Sequence, residues 1–258
     1  MSQSRATKES AEGEWTALPG GSVSPIRLAQ RHVVVVIPAQ NEESDVGEIV
    51  ERVLRTGFAA VVVDDYSSDR TRAVAREAGA TVLELPFHAG AWAAIQTGMR
   101  YARRRGATHV VTLDADGQHN PEDIHALMDV MDKADAPNVV IGACVSRANR
   151  RRRLAWRALS WLSGLQIDDL TSGFRMYDRA ALDLLVSHRH SLLEYQDIGV
   201  LLCLRAHDLS FREVAVPMRR RLHGISRIFN SWPMVAYYLI YSTLIGGSRR
   251  SLSKDMPK

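Results

Sequence analysis

The chain of 258 residues is predicted to fold as an α/β protein with a mostly parallel central sheet and helices on both faces. Two observations predict this class. Runs of β-formers alternate with helical patterns of about ten to fifteen residues, which implies right-handed crossovers between parallel strands. The run Val33–Ile37 is unbroken and almost entirely valine, as expected of a strand that is buried on both faces.

The first half of the chain is predicted to supply three strands and the helices that follow them. Pro38 is expected to end the first strand, and residues 41–45 are expected to cap the next helix and place acids in its first turn. Gly57 and Gly79 are expected to close the first two helices. The predicted strands lie at 33–37, 59–63 and 81–85, and the predicted helices at 46–56, 71–78 and 91–105.

The second half repeats the alternation and then becomes less regular. A central strand leads into an acidic turn at 114–118, and an amphipathic apolar stretch follows at 154–165. Further elements are predicted as helices at 121–133 and 198–206 and as strands at 139–141 and 214–217. We expect a flexible leader at 1–31, one α/β domain at 32–228 and a C-terminal helix with a basic tail at 229–258.

Composition excludes several classes of protein. With 46% hydrophobic and 24% charged residues the chain is not a disordered protein, and two cysteines give no disulfide framework. The polar first thirty residues contain no apolar signal segment. The net charge of +4 is concentrated in arginine clusters, which suits phosphates or an anionic membrane surface better than a nucleic-acid partner.

The most informative stretch is Val110–His119, in which β-formers lead to Asp114 and Asp116. In an extended chain these side chains would share one face, and Gly117 would let the backbone turn close to a ligand. Two carboxylates this close repel each other unless a cation lies between them. Mg²⁺ or Mn²⁺ is suitable because hard cations take oxygen ligands, including substrate phosphates. A solvated acidic turn is the alternative for so short a pattern.

Three polar turns are predicted to meet at one edge of the sheet. They are the segments Pro38–Glu42, Asp64–Asp65 and Asp114–Gln118, each of which follows a predicted strand. Ligands of such sheets bind beyond the carboxyl ends of the strands. Neither a GxGxxG fingerprint after the first strand nor a GxxxxGK[ST] motif is present, so a dinucleotide cofactor and a P-loop are disfavoured.

The order of these motifs resembles the family 2 glycosyltransferases of GT-A fold, most of all the dolichol-phosphate and polyprenyl-phosphate mannosyltransferase branch. The resemblance covers about residues 33–228 and rests on Ile37–Glu42, Val63–Asp69 and Asp114–Gln118. It implies a metal-dependent, inverting hexosyltransferase. The implied donor is a GDP- or UDP-linked sugar, and the implied acceptor is a polyprenyl phosphate.

The resemblance also implies roles for individual residues on the donor side. Asp114, Asp116 and Gln118 would hold Mg²⁺ or Mn²⁺ and the diphosphate, and Asp116 would be a catalytic residue. Donor-binding positions are implied at Pro38, Gln40, Glu42, Val63, Asp65, Asp114, Ala115, Arg221 and Arg227. Two alternatives stay open: Asp65 as a turn or helix cap, and Gln118 as an ordinary loop amide.

On the acceptor side, Asp169–Arg175 resembles the branch's D-x-x-S-G-F-R, which implies that Ser172 and Arg175 lie near the acceptor. Arg175 is a catalytic candidate that would clamp an acceptor phosphate, with an ion pair as the alternative. Asp197, with Glu194, would be the base for a hydroxyl acceptor or a cap of the next helix. A polyprenyl phosphate is already anionic and needs no strong general base.

The C-terminal region suggests contact with a membrane surface. Arg221–Arg227 resembles the branch's R-x-x-G-x-S-K, which implies a loop over phosphates, or alternatively a contact with lipid headgroups. The apolar stretch Trp232–Ile245 is shorter than the roughly 20 residues of a spanning helix, and its Trp and Tyr residues suit an interfacial one. We therefore expect an enzyme at the cytoplasmic face of a membrane, with assembly into a homo-oligomer left open.

The sequence departs from this branch at two places. Gly142-Ala143-Cys144 stands where relatives usually carry G-S-R, and His88-Ala89-Gly90 supplies no lysine before the third helix. The donor sugar is therefore not inferred from the branch. Alternative functions are transfer to a soluble hydroxyl or small phosphorylated acceptor, a nucleotidyltransferase, and a non-catalytic binding module.

Overall fold

A computed structural model describes residues 32–144, 167, 169, 172–187 and 198–219. The predicted leader, the stretch 154–165, Glu194, Asp197 and everything from residue 220 onward lie outside these residues. The strands are β1 Val33–Ala39, β2 Ala59–Asp64, β3 Thr81–Glu84, β4 His109–Thr112, β5 Val139–Ala143, β6 Arg175–Tyr177 and β7 Phe211–Ala215. The helices are α1 Val46–Arg55, α2 Thr71–Glu77, α3 Ala91–Arg104, α4 Ile124–Met131, α5 Arg179–Leu185 and α6 Ile198–Arg205.

The strands form one sheet in the order β3-β2-β1-β4-β6-β5-β7. Neighbouring strands are parallel except where β6 pairs with β4 and β5, which are both antiparallel to it. This arrangement confirms the predicted mostly parallel α/β sheet. Because β6 runs the other way, its first residue lies at the same sheet edge as the last residues of β4 and β5.

Both faces of the sheet are covered, as the valine run predicts. Val34 and Val36 of β1 pack into the core beneath α3, α5 and α6, whereas Val33, Val35 and Ile37 pack beneath α1 and α4. All five side chains are at most 4% exposed. Successive side chains of β1 thus pack into two separate apolar layers, one on each face of the sheet. The sheet is therefore the middle layer of a three-layer structure.

Pro38 lies inside β1 instead of ending it, so that prediction is wrong. Val36 O accepts a hydrogen bond from Leu113 N at 3.1 Å, the last bond on the β4 side. Two residues later, Pro38 points its nitrogen to the same side, where β4 has already ended at Thr112. A residue that cannot donate a hydrogen bond is tolerated at this position, where the pairing of β1 with β4 ends.

Several other boundaries differ from the predicted ones. The segment Arg175–Leu185 holds β6 and α5, neither of which was predicted, because a three-residue strand that begins with arginine has no readable alternation. Asp178 caps α5 by accepting a hydrogen bond from Ala181 N at 2.8 Å. The expected helix 121–133 is a 3₁₀ turn followed by α4, and β7 begins three residues before the expected late strand. Among the described residues, no helix has the length and apolar character needed to cross a membrane.

Candidate active site

The turns after β1 and β2 are joined by hydrogen bonds. Asn41 N donates to Ser67 Oγ at 3.0 Å, and Ser68 N donates to Asn41 Oδ1 at 2.9 Å. Glu42 N donates to Thr71 Oγ1 at 2.8 Å. The polar residues expected to cap α1 therefore hold two loops together, and the side chain of Asp45 does not cap that helix.

Asp69 extends this connection and is held in its charged form. Its carboxylate accepts hydrogen bonds from Thr71 Oγ1 at 2.5 Å, from Thr71 N at 3.0 Å and from Glu43 N at 3.2 Å. Burial raises the pKa of Asp69, but these hydrogen bonds outweigh it, so the pKa lies below its ordinary value. The two turns thus form one rigid rim beside the first helices.

Asp65 follows β2 directly and is buried against the loop before α3. Its Oδ1 accepts a hydrogen bond from Ala89 N at 2.7 Å, and its Oδ2 accepts one from Gly90 N at 2.9 Å. His88 Nδ1 lies 2.8 Å from Asp65 Oδ2 and 2.9 Å from Gln40 Nε2. Asp65 therefore holds the loop just before α3, without capping that helix, and its contact with a nucleotide stays a prediction.

The acidic motif lies in a turn and not in an extended strand. The prediction that alternation along a strand places the Asp114 and Asp116 side chains on one face is therefore wrong. The strand β4 ends at Thr112, before both aspartates. Asp116 is 6% exposed, and its Oδ1 accepts a hydrogen bond from Gln118 N at 3.0 Å. Gly117 takes the left-handed conformation, with φ of 69°, that lets this turn close.

Asp114 lies directly over Gly173. A Cβ added at Gly173 would stand 2.7 Å from Asp114 Oδ2 and 3.0 Å from Oδ1. Thr112 Oγ1 donates to Gly173 O at 2.7 Å, which fixes the two segments side by side. The acidic motif after β4 and the S-G-F-R motif at the start of β6 therefore contact each other at the edge of the sheet where the parallel strands end.

Ser172 and Arg175 are buried in this contact. Ser172 is 4% exposed, and its Oγ donates to Gly142 O at 2.6 Å and accepts from Phe174 N at 3.2 Å. Arg175 is 2% exposed and begins β6 between Thr112 and Ile141. Both residues help to build the floor of the site. Their predicted contacts with an acceptor stay predictions.

The donor set of the acidic turn suits a hard cation. Asp114, Asp116 and Gln118 offer carboxylate and amide oxygens within five residues, and oxygen is the ligand atom that Mg²⁺ and Mn²⁺ prefer. In the part of the chain that the structure describes, no three His, Cys, Asp or Glu side chains gather into a metal cluster.

Arg52 of α1 holds the chain that follows the acidic turn. Its Nε donates to Glu122 Oε1 at 3.1 Å, and one terminal nitrogen donates to Asn120 Oδ1 at 3.1 Å and to Glu122 Oε2 at 2.5 Å. The hydrogen bond from Arg52 lowers the pKa of Glu122, and the same bond raises the pKa of Arg52. Arg52 is only 8% exposed, so this ion pair fixes the start of α4 against α1.

The end of the acidic motif is also attached to the segment after β7. His119 is 3% exposed and stacks on Phe174 with ring centroids 5.1 Å apart. His119 forms an isolated bridge with Met218, and Arg219 N donates to Gln118 O at 2.8 Å. The segment that follows β7 thus lies beside the acidic turn.

The remaining predicted site residues fall into three groups. Pro38, Gln40 and Glu42 are partly exposed at the sheet edge. Val63 and Ala115 are at most 4% exposed and belong to the core, so only their backbones could face a donor. Asp197, Arg221 and Arg227 lie outside the described residues.

Three residues of the site were not predicted from the sequence. Gly173 was inside a recognised motif, but its contact with Asp114 depends on two segments about sixty residues apart. Arg52 is in a helix whose other buried residues are mostly apolar, and this single polar position gave no periodic signal. His88 stands where the branch carries a lysine, and its place between β3 and Gly90, at the sheet edge, is the signal that could have marked it.

A mostly parallel sheet with polar turns at the carboxyl ends of β1, β2 and β4 belongs to the α/β class of proteins that bind ligands at this edge of the sheet. Residues 34–185, more than half of the chain, match the family described as Glycosyl transferase family 2. The chain belongs to that family and is a glycosyltransferase. This match confirms the family that the three short motifs predicted.

Named relatives support this membership. Polyprenol monophosphomannose synthase of Mycolicibacterium smegmatis is 32% identical over 192 residues, 67% of this chain and 71% of the relative. Dolichyl-phosphate hexose transferase of Haloferax volcanii is 30% identical over 201 residues, 73% of this chain and 83% of the relative. Glucosyl-3-phosphoglycerate synthase of Mycobacterium tuberculosis, crystallised with Mn²⁺, UDP and phosphoglyceric acid, shares the fold with a TM-score of 0.68 at 21% identity, covering 84% and 79% of the two chains.

Proposed function

We propose that this glycosyltransferase moves a hexose from a GDP- or UDP-linked donor to a polyprenyl phosphate, with inversion and with Mg²⁺ or Mn²⁺. The observation that carries the proposal is the contact between Asp114 and Gly173, which joins the predicted donor motif to the predicted acceptor motif. Two relatives named for polyprenol- and dolichyl-phosphate sugar transfer support the acceptor class. A structural neighbour crystallised with Mn²⁺ and UDP supports the donor class.

On the donor side, we propose that the diphosphate binds at the acidic turn and that the nucleoside binds near Asp65, at the turns after β1 and β2. Asp114 and Asp116, with the Gln118 amide, would hold the divalent ion. When bound, that ion offsets charge on the departing diphosphate as a Lewis acid. Asp116 is already fixed by the N–H group of Gln118, so little ordering remains to be done when the ion arrives.

On the acceptor side, the nucleophile is a phosphate oxygen that is anionic at neutral pH, so no strong general base is required. The protein's contribution is then positioning and charge neutralisation. Arg175, at the edge of the sheet beside Thr112, and Ser172, two residues from Phe174, are proposed to shape this half of the site. Arg221 and Arg227 are proposed to neutralise phosphates, and Asp197 to serve where a hydroxyl acceptor needs a base.

A lipid acceptor requires the enzyme to reach a membrane surface. We assign this contact to the apolar segment 232–245 and its flanking arginines, and we place the enzyme at the cytoplasmic face. Purified full-length protein should sediment with anionic vesicles at low salt, and a truncation after Asn230 should not. Equal sedimentation of both forms, or of neither, would contradict this assignment.

A transfer assay tests the proposed reaction. The full chain is incubated with UDP- and GDP-linked hexoses and Mn²⁺, and two acceptors are compared: a polyprenyl phosphate in vesicles and 3-phosphoglycerate in solution. Release of the nucleoside diphosphate only with the lipid, and its loss on chelation with recovery on adding Mn²⁺, is the expected result. Transfer to the soluble acceptor alone would replace the proposal with its alternative.

A further inference from the structure

We propose that His88 is a nucleotide-binding residue, which presents its Nε2 atom to the nucleoside part of the donor while Asp65 holds the ring. The inference rests on the proposed function, since it assumes that a nucleoside diphosphate sugar binds at this sheet edge. It assigns a role to a position where the chain departs from the related branch. It also makes His88, and not Asp65, the first side chain that a nucleoside contacts.

The two partners differ sharply in exposure. The side chain of His88 is 57% exposed, whereas that of Asp65 is 4% exposed, and the two are joined by the 2.8 Å contact between Nδ1 and Oδ2. A ligand that approaches the end of β2 from solvent therefore encounters the imidazole before the carboxylate. Asp65 is in the position of a supporting group, and His88 in that of a contacting group.

The hydrogen bonds of Asp65 lead to the same assignment. Its Oδ1 already accepts from Ala89 N, and its Oδ2 already accepts from Gly90 N and lies within reach of His88. A carboxylate offers about four acceptor positions, so one position on Oδ1 is left for a ligand. Recognition of a nucleoside by Asp65 alone would therefore depend on a single recessed acceptor.

The imidazole has the complementary capacity. Its Nδ1 lies 2.8 Å from Asp65 Oδ2 and 2.9 Å from Gln40 Nε2, so it donates to Asp65 when it carries the proton and accepts from Gln40 when it does not. Its Nε2 has no partner among the described residues. A ribose hydroxyl both donates and accepts, and the polar edge of a base carries both kinds of group, so either tautomer of His88 can pair with a nucleoside.

Two exposed aromatic side chains stand next to this pair in the chain. Tyr66 follows Asp65 and is 60% exposed, and Phe87 precedes His88 and is 64% exposed. Tyr66 also has φ of 63°, a left-handed conformation that is rare for a bulky residue. Exposed aromatic side chains that neighbour a polar pair in the chain can offer flat faces to the base of a nucleotide, and strain of this kind is concentrated at ligand sites.

The test compares His88→Ala, His88→Gln and wild type in calorimetric titrations with UDP, GDP and inorganic pyrophosphate, all with Mn²⁺. We expect His88→Ala to weaken the preferred nucleoside diphosphate about tenfold, the effect of one lost hydrogen bond. His88→Gln should restore part of the affinity. Pyrophosphate, which lacks a nucleoside, should bind all three proteins equally.

His207→Ala is the matched control. His207 is an exposed histidine just after α6, where the chain approaches the start of β7 and hence the opposite edge of the sheet. Its substitution should leave both ligands unaffected. The melting temperature of each variant without ligand shows whether the fold is intact.

Each outcome decides between the two proposals. If wild type binds UDP or GDP and His88→Ala binds it equally well, the role of His88 is wrong while the proposed function stands. If His88→Ala weakens pyrophosphate as much as the nucleotide, or lowers the melting temperature, His88 only holds its loop and the inference fails. If wild type binds neither nucleotide, the proposed function fails and the role of His88 fails with it.

Discussion

The Asp114 carboxylate lies against the backbone of Gly173, with no space between them for a methyl group. The added Cβ would be 2.7 Å from Asp114 Oδ2 and 3.1 Å from its Cγ. Distances below 3.0 Å essentially do not occur for real Cβ atoms, so either the Asp114 carboxylate or the backbone of Gly173 would have to shift. The backbone of Gly173 cannot retreat easily, because its carbonyl accepts a hydrogen bond from Thr112.

Gly173→Ala should therefore displace the Asp114 carboxylate and weaken metal-dependent transfer. We expect a loss of about 10- to 100-fold in the apparent affinity for Mn²⁺ or in activity, the usual effect of disturbing a group that orients a metal ligand. Activity measured against Mn²⁺ concentration checks this. The comparison variant is Gly47→Ala on α1, whose Cβ would meet only a methyl group of Val74 and should leave the Mn²⁺ response unchanged.

Asp116→Asn should abolish transfer without unfolding the protein. The asparagine keeps an oxygen that can accept the hydrogen bond from Gln118 N, so the turn is retained while the negative charge is removed. We expect activity to fall by at least about 100-fold and the thermal shift with Mn²⁺ and nucleotide to disappear. Asp135→Asn, at an exposed ion pair with Arg212, is the control. Retained turnover in Asp116→Asn would remove this residue from the mechanism.

The sheet could be predicted from the sequence because its strands are local signals. The β-branched run Val33–Ile37 is buried on both faces as predicted, and the three polar turns do follow β1, β2 and β4. The short strand β6 could not be predicted, since Arg175–Tyr177 becomes a strand only by fitting between β4 and β5. This is a property of the tertiary structure and not of three residues.

The candidate site was predictable in its residue types but not in its contacts. Asp114 and Asp116 were identified correctly as a feature of the sheet edge, yet alternation in a strand was the wrong reason, because a turn governs their positions. The contacts between Asp65 and His88 and between Asp114 and Gly173 join segments far apart in the chain. Such pairs are set by the topology of the fold, which no single stretch of sequence contains.

Tyr66→Asn should stabilise the protein and at the same time weaken the binding of nucleotide. Asparagine tolerates the left-handed conformation that Tyr66 adopts, and an exposed ring loses little burial, so we expect a gain of up to about 1 kcal/mol in the free energy of unfolding. Denaturant unfolding measures the first effect and titration with UDP or GDP the second. Tyr66→Ala removes the ring but keeps the backbone strain, so it should weaken binding without the gain in stability.

The ion pair between Arg52 and Glu122 should make stability depend on pH in the acidic range. The hydrogen bond from Arg52 lowers the pKa of Glu122 in the folded state below the value of about 4.3 expected in the unfolded chain. A lowered pKa means that the stabilisation is fully present above the unfolded value and is lost as the pH falls through the folded value. Wild type should therefore exceed Glu122→Gln in the free energy of unfolding at pH 7, and the difference should shrink steadily below about pH 4.3. Urea unfolding at a series of pH values measures this, with Glu51→Gln, at an exposed position next to Arg52 on α1, as the control. A difference between wild type and Glu122→Gln that is the same at pH 7 and at low pH would show that this ion pair does not fix α4 against α1.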